Sequence, residues 1–466
     1  MGNFVDPGKS GVLILRFRPT VDPVSDHEGA VAALRGQYAA IPAGAPVRLA
    51  KSTSNLFRFR ADQPGGLDVH RFNRVLSVDR EARTARVQGM TTYEDLVDAT
   101  LPHGLMPLVV PQLKTITLGG AVAGLGIESS SFRNGLPHES VRELEVMTGE
   151  GAVEVVKPGD DLFRGFPNSY GTLGYALRLD IELEPVSPYV RLRHVPFGDA
   201  AECARVISAI CAEGAYLGEP VDFVDGTVFS AGEQYLTLGN WTGTAPWTSD
   251  YTGNRIYYRS IQARRTDYLT ARDYLWRWDT DWFWCSRAFG VQHPLVRRLV
   301  PKRYLRSDVY RRVVAWDRRH SFSARLGKAV EEPVIQDVEI PVDRLAEFLD
   351  FFHREIGISP VWLCPIRLRD RTGWPLYPMD PDVLYVNVGF WSTVPLRPDE
   401  ELGSRNRLIE AEVTRLGGHK SLYSDSYYGE REFWDLYDGP AYRRLKERYD
   451  PDGRLPDLYA KCVLRG

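Results

Sequence analysis

Thr117, Leu118, Gly119 and Gly120 open the stretch "TLGGAVAGLGIESSS", which carries no charge from Ile116 up to Glu128 and ends in three consecutive serines. Backbone N–H groups at glycine approach an anion closely because no Cβ intervenes. Ser129, Ser130 and Ser131 add hydroxyl donors without adding charge. A pyrophosphate suits such a lining, although a purely structural glycine-rich loop has the same composition. "GLGIES", from Gly124 to Ser129, approaches the dinucleotide fingerprint G-x-G-x-x-G but has serine at its third glycine. It also follows no clean strand-to-helix turn, which argues against a Rossmann unit. Two more stretches share this character. "VRLAKSTSNLFR" sets Lys51, Ser52, Thr53, Ser54, Asn55 and Leu56 after a strand-like run. "NSYGTLGYALRLDIELEP" carries Gly171 and Gly174 into a strand that runs through Ile181.

The elements that must position these residues are legible as patterns. "HEGAVAALRGQYAAIP" reads as a helix, and "TTYEDLVDATLPHGL" as a second one with a Thr cap, acids in its first turn and a Gly stop. "RVLSVDREARTARVQG" and "SVRELEVMTGEGAVEVV" alternate as hairpins, and "YALRLDIELEPV" reads as a strand. The "TLGG" segment itself reads as strand or loop. From about Pro188 the chain turns to longer, aromatic, basic helices, then returns to strands in "PVIQDVEIPV" and "VLYVNVGFW". Its last fifty residues read as helical. No internal repeat is present.

At 466 residues the chain is long enough for two or three domains. No run of eighteen apolar residues occurs, so no transmembrane helix is expected. Cys203, Cys211, Cys285, Cys364 and Cys462 are odd in number and lack a metal-ligand spacing. They read as reduced thiols of a cytoplasmic protein, with no metal site. The net charge of −3 hides an asymmetry: Arg255–His320 holds sixteen Lys/Arg against six Asp/Glu, a local +10 that leaves −13 elsewhere. The same segment contains "YLWRWDTDWFWC". Basic residues interleaved with Trp suit anionic lipid headgroups. Nucleic acid is the competing partner, and a solvated helical face over a core has the same composition; the cluster Trp276–Trp284 itself reads as core before lipid slot.

Taken together, the three small-residue elements resemble, in order, the vanillyl-alcohol-oxidase type of FAD-binding domain. "GLGIESSSFRNGLPHESVRELEVMTGEG", "YGTLGYALRLDIELEPVSPYVRLR", "LYVNVGFW" and "HKSLYSDSYYGEREFWDLYDGPAYRRLKERYD" look like the Delta-24 sterol reductase family within it. "VRLAKSTSNLFRFR" and the stretch from Pro107 to Val141 look closest to bacterial reductases of 10-methylene fatty acyl chains, which complete tuberculostearic acid synthesis.

The resemblance implies an α+β fold: an FAD-binding part over 1–187, an inserted α+β cap over 188–415, and a segment over 416–466 returning to the FAD domain. Lys51–Leu56 and Thr117–Gly120 would clamp the pyrophosphate, with Gly124, Ser129–Ser131, Gly135, Gly171, Gly174 and Ile181 along the cofactor. No His or Cys lies between Lys51 and Arg60, so FAD is expected to be non-covalent. His138 reads either as cofactor-proximal or as a turn histidine. Glu128 reads as a buried acid with a raised pKa beside the flavin, or as a hydrogen-bond acceptor. Lys420 would steady reduced flavin and Tyr423 would relay a proton, unless they are a surface lysine and a core tyrosine. The implied activity is reduction of an isolated lipid C=C bond with NADPH. A functional pairing with an S-adenosylmethionine-dependent methyltransferase follows, with a lipid acyl partner, peripheral membrane contact through 255–320 and no nucleic acid. Sterol reduction, oxidation of a small alcohol or sugar, and a lipid-binding module with a vestigial flavin site are the alternatives.

Overall fold

A computed structural model describes residues 23–51, 56–58, 65–320, 331–397 and 399–464. It is an α+β fold built on two antiparallel sheets. The first has six strands. Its path runs Val75–Asp79, Thr84–Gln88, Tyr175–Pro185, Val141–Met147, Val153–Val156, and Leu105–Pro107 pairs with the far end of the central strand. Tyr175–Pro185 alternates, with Leu177, Leu179, Ile181 and Leu183 buried. Both expected hairpins are present, as is the helix Tyr93–Thr100, whose N-cap Thr92 accepts from the Asp95 amide and whose run is closed by Gly104 at φ 71°.

The second sheet has eight strands, in the order Thr266–Thr270, Tyr189–Phe197, Glu233–Thr242, Phe223–Ser230, Val361–Ile366, Tyr385–Pro395, Glu331–Pro341, His419–Lys420. Helices Ala200–Glu213, Leu345–Glu355 and Ser404–Arg415 bury their apolar residues in the core on one face of it. The long helices expected after Pro188 are mostly strands instead. In "YVRLRHVPF", Val190, Leu192 and His194 point inward while Arg191 and Arg193 point outward, a period of two that the basic and aromatic content conceals.

In the segment 255–320 the Trp cluster is core, the reading its composition favours over a lipid slot. Trp276, Trp278 and Trp284 are fully buried and Trp282 nearly so. Much of the local positive charge is neutralised internally: Arg277 pairs with Glu128 and Asp225, Arg297 with Asp281 at 2.6 Å, and Arg306 with Glu94 at 2.8 Å. The interleaved tryptophans are therefore core, and only the later part of the segment presents apolar residues to solvent.

The C-terminal residues join the two sheets. Lys420 pairs with Val338 at the edge of the second sheet. Helix Gly439–Tyr449 then reaches the first: the Gly149 amide donates to Tyr449 O at 2.9 Å, and Lys446 Nζ donates to Thr172 O at 2.9 Å. Among the described residues no helix is long and apolar enough to cross a membrane.

Candidate active site

A cavity of about 370 Å³ is lined from both sheets and from the C-terminal segment. One wall is largely main chain, with Gly89, Gly119, Gly120, Gly124 and Gly126. Leu118–Ala123 forms a short helix rather than a strand or loop, and the Thr117 hydroxyl caps it by accepting from the Gly120 amide at 3.2 Å. Its glycines answer to the protein's own packing as well as to a ligand. A Cβ on Gly119 would lie 2.7 Å from Gly89 O, and one on Gly120 2.8 Å from the Thr117 hydroxyl. Leu118 is buried beneath this wall. Gly171 and Gly174 line the cavity at φ 77° and 147°, where side chains are strained.

Lys51 and Leu56 also line the cavity, while Ser52, Thr53, Ser54 and Asn55 fall outside the described residues. Three buried donors on the wall have open hydrogen-bonding capacity: Arg58 Nη2, Gln112 Nε2 and the Tyr170 hydroxyl. Arg58 is fixed by donating from Nη1 to Leu422 O at 2.6 Å, with its guanidinium 4.7 Å from the Tyr170 ring centre. A bare-backbone wall, an oriented guanidinium with a spare N–H and two further unused donors fit an elongated anionic ligand such as FAD. Arg58 and Tyr170 lie within two of the small-residue stretches and Gln112 just before the third, but no local pattern marks any of them as a donor. Each is an ordinary polar residue whose role appears only when its neighbours fail to satisfy it.

The opposite wall is aromatic. Phe283 stacks on Trp391 with ring centres 4.2 Å apart, and Phe57 stacks on Trp282 at 5.5 Å. Trp282 and Phe283 both sit at positive φ, 47° and 60°. Two consecutive left-handed aromatic residues cost on the order of 1–3 kcal/mol each, a strain that collects at functional sites.

Tyr423 lies in this wall. Its hydroxyl accepts from Trp391 Nε1 at 3.0 Å and bonds Asp337, a cavity residue that Asn387 Nδ2 also contacts at 3.1 Å. Asp337 is half-buried, and its accessible surface lies along the cavity. Desolvation pushes its carboxyl up to about 6, against the lowering effect of the Asn387 and Tyr423 bonds. Glu339, two residues on, is buried against the Tyr377 and Ser421 hydroxyls and is pushed up to about 8, again by desolvation.

Other candidates from the sequence stand away from the cavity lining. The Glu128 carboxylate receives Arg277 Nη2 at 3.2 Å and the Ser129 hydroxyl at 2.5 Å, and burial raises its pKa. Ser130 donates to Leu108 O and Ser131 accepts from the Glu128 amide, so the serine hydroxyls are consumed within the protein. Gly135 sits at φ 68° against the Glu139 carboxylate, and Ile181 is sheet core between Ala85 and Val141. His138 packs edge-on against Trp374 at 4.4 Å, and burial lowers its pKa to about 3, leaving it neutral. Lys420 is buried in an ion pair with Glu410 and also donates to Asp425 O at 2.6 Å. "VIQDVEIPV" reads simply as a strand, and nothing in it marks Asp337, whose side chain turns toward the cavity.

Residues 35–157 match the family described as FAD binding domain. The chain is 27% identical to the Delta(24)-sterol reductase of Homo sapiens over 413 residues, 83% of this chain and 75% of that protein. It is 26% identical to the Delta(24)-sterol reductase of Arabidopsis thaliana over 442 residues, 85% of this chain and 76% of that one. A shorter similarity, 30% over 176 residues, links 36% of the chain to 38% of the decaprenylphosphoryl-beta-D-ribose oxidase of Mycolicibacterium smegmatis. With the glycine wall and open donors of the cavity, these likenesses identify the chain as an FAD-dependent oxidoreductase related to the Delta(24)-sterol reductases.

Proposed function

We propose that the protein reduces an isolated C=C bond of a lipid, with a 10-methylene fatty acyl chain as substrate and NADPH as electron donor. The observation that carries this reading is a carboxyl held up to about 6 on the wall of an aromatic cavity. An isolated alkene has no carbonyl to polarise, so hydride attack alone would build an unstabilised carbanion. Protonation first is the easier polarity. Asp337 gives its proton to the terminal =CH2, oriented by Tyr423 and Asn387. The tertiary cation left at the branch carbon meets the faces of Trp282, Phe283 and Trp391. FAD, when bound, supplies the hydride that completes the saturated product. Arg58, Gln112 and Tyr170 would bind and orient it through their spare donors. No described lining residue is His or Cys, which supports non-covalent binding. The Asp337 carboxylate is reprotonated from solvent between turnovers.

The methylene carbon of such a substrate must come from a one-carbon transfer, so an S-adenosylmethionine-dependent methyltransferase acts before this enzyme. A sterol side chain is the second reading, supported by the similarity to named Delta(24)-sterol reductases over 83% of the chain. Lipids extracted from cells lacking the gene decide between them. Accumulated methylene-branched acyl chains support the first reading; an unchanged acyl profile contradicts it.

A further inference from the structure

Of the twelve large hydrophobic side chains exposed among the described residues, six fall between 295 and 316: Leu295, Val296, Leu299, Tyr304, Val313 and Trp316. They lie on helix Pro294–Leu299, helix Ser307–His320 and the turn between. Leu299 is 82% exposed and Leu295 69%, far from the usual scatter of half-covered apolar residues. Interspersed are Arg298 and Arg303, exposed and without a carboxylate partner among the described residues, with Lys302, paired with exposed Asp250, and Arg312, paired with half-buried Asp308. Beside the first helix a cleft of about 360 Å³ is lined by Asn254, Arg259, Gln292, Arg297 and Arg298.

We infer that this segment seats the protein on an anionic lipid surface. Apolar tips set among unpaired arginines match acyl chains beneath negative headgroups, and Arg259 and Arg298 of the cleft, where Arg297 is already paired with Asp281, suit a headgroup phosphate. A second protein would leave the uncompensated positive charge unexplained unless it were itself acidic. The seat is also coupled to the cavity. Tyr310 donates to Thr280 O at 3.1 Å, two residues before the cavity aromatic Trp282, and the Arg311 guanidinium is 5.9 Å from the ring centre of Phe57, another cavity residue. Docking therefore rests on the surface alone; its meaning as the route by which an acyl chain enters rests on the proposed lipid substrate.

The test uses the full-length, flavin-loaded protein and sedimentable vesicles of phosphatidylcholine, with and without equimolar phosphatidylglycerol. Binding is expected only with the anionic vesicles and weakens with salt. Leu299→Glu with Trp316→Glu should weaken it roughly a hundredfold, and Arg298→Gln with Arg303→Gln roughly twentyfold. Flavin content and NADPH-driven bleaching should be unchanged in both variants. Equal binding by the wild type and the Leu299/Trp316 variant overturns the inference. So does a change of sedimentation coefficient without vesicles, which would make a second copy the occupant. Flavin reoxidation by detergent-dispersed lipid is measured separately, so loss of docking and loss of the alkene chemistry are told apart.

Discussion

In the proposed reaction Asp337 must carry its proton before the alkene reacts, and that requirement sets the residue-scale predictions. An acid poised near about 6 is progressively emptied above that pH, so alkene-driven flavin reoxidation should fall about tenfold per pH unit on the alkaline side. Asp337→Asn should slow reoxidation by roughly 10²–10⁴-fold and erase that limb, while reduction by NADPH continues. Tyr423→Phe removes one hydrogen bond to the same carboxyl and should cost roughly ten- to a hundredfold. Stopped-flow absorbance of the flavin across pH reads all three effects. Tyr423 was legible in the sequence because it precedes the closing helix at a position the family resemblance marks. Lys420 shared that mark, yet Glu410 neutralises it in the core. An ion-pair partner ten residues back on another element leaves no local trace.

At the scale of elements, the glycine wall is a packing device before it is a ligand cradle. Gly119→Val should push the capped helix Leu118–Ala123 off Gly89, destabilising the fold by about 1–3 kcal/mol and emptying the flavin site together. Melting temperature and bound-flavin absorbance, measured on one sample, check that the two losses coincide. The first sheet was read well from sequence because its hairpins alternate cleanly and its turns are short. The second was not: Arg191 and Arg193 on one face and the bulky aromatics that follow mask a period-two pattern. Of the Trp-rich stretch only Trp282 and Phe283 reach the site, Phe283 packing on Trp362 and Trp391 from the distant strands Val361–Ile366 and Tyr385–Pro395, while Trp276, Trp278 and Trp284 are core. Only the assembled sheet reveals that.

For the whole molecule, buried acids make stability depend on pH in an unusual direction. Glu339 moves from an ordinary 4.5 up to about 8, so the folded state holds a proton that the unfolded chain releases. Stability is therefore lost as pH rises between those values, and Asp337 acts in the same sense over its lower range. Glu339→Gln should flatten the decline, on the order of a few kcal/mol, in denaturant titrations at successive pH values. The central claim, proton first to a lipid alkene in this cavity, is tested most directly by one measurement. The protein is reduced anaerobically with NADPH in D2O and mixed with a detergent-dispersed phospholipid carrying a 10-methylene chain; flavin absorbance is followed and the product is analysed by mass spectrometry. The account predicts that the absorbance returns and that deuterium appears in the new methyl group. Flavin that stays bleached, or a saturated product whose methyl carries no deuterium, would contradict it.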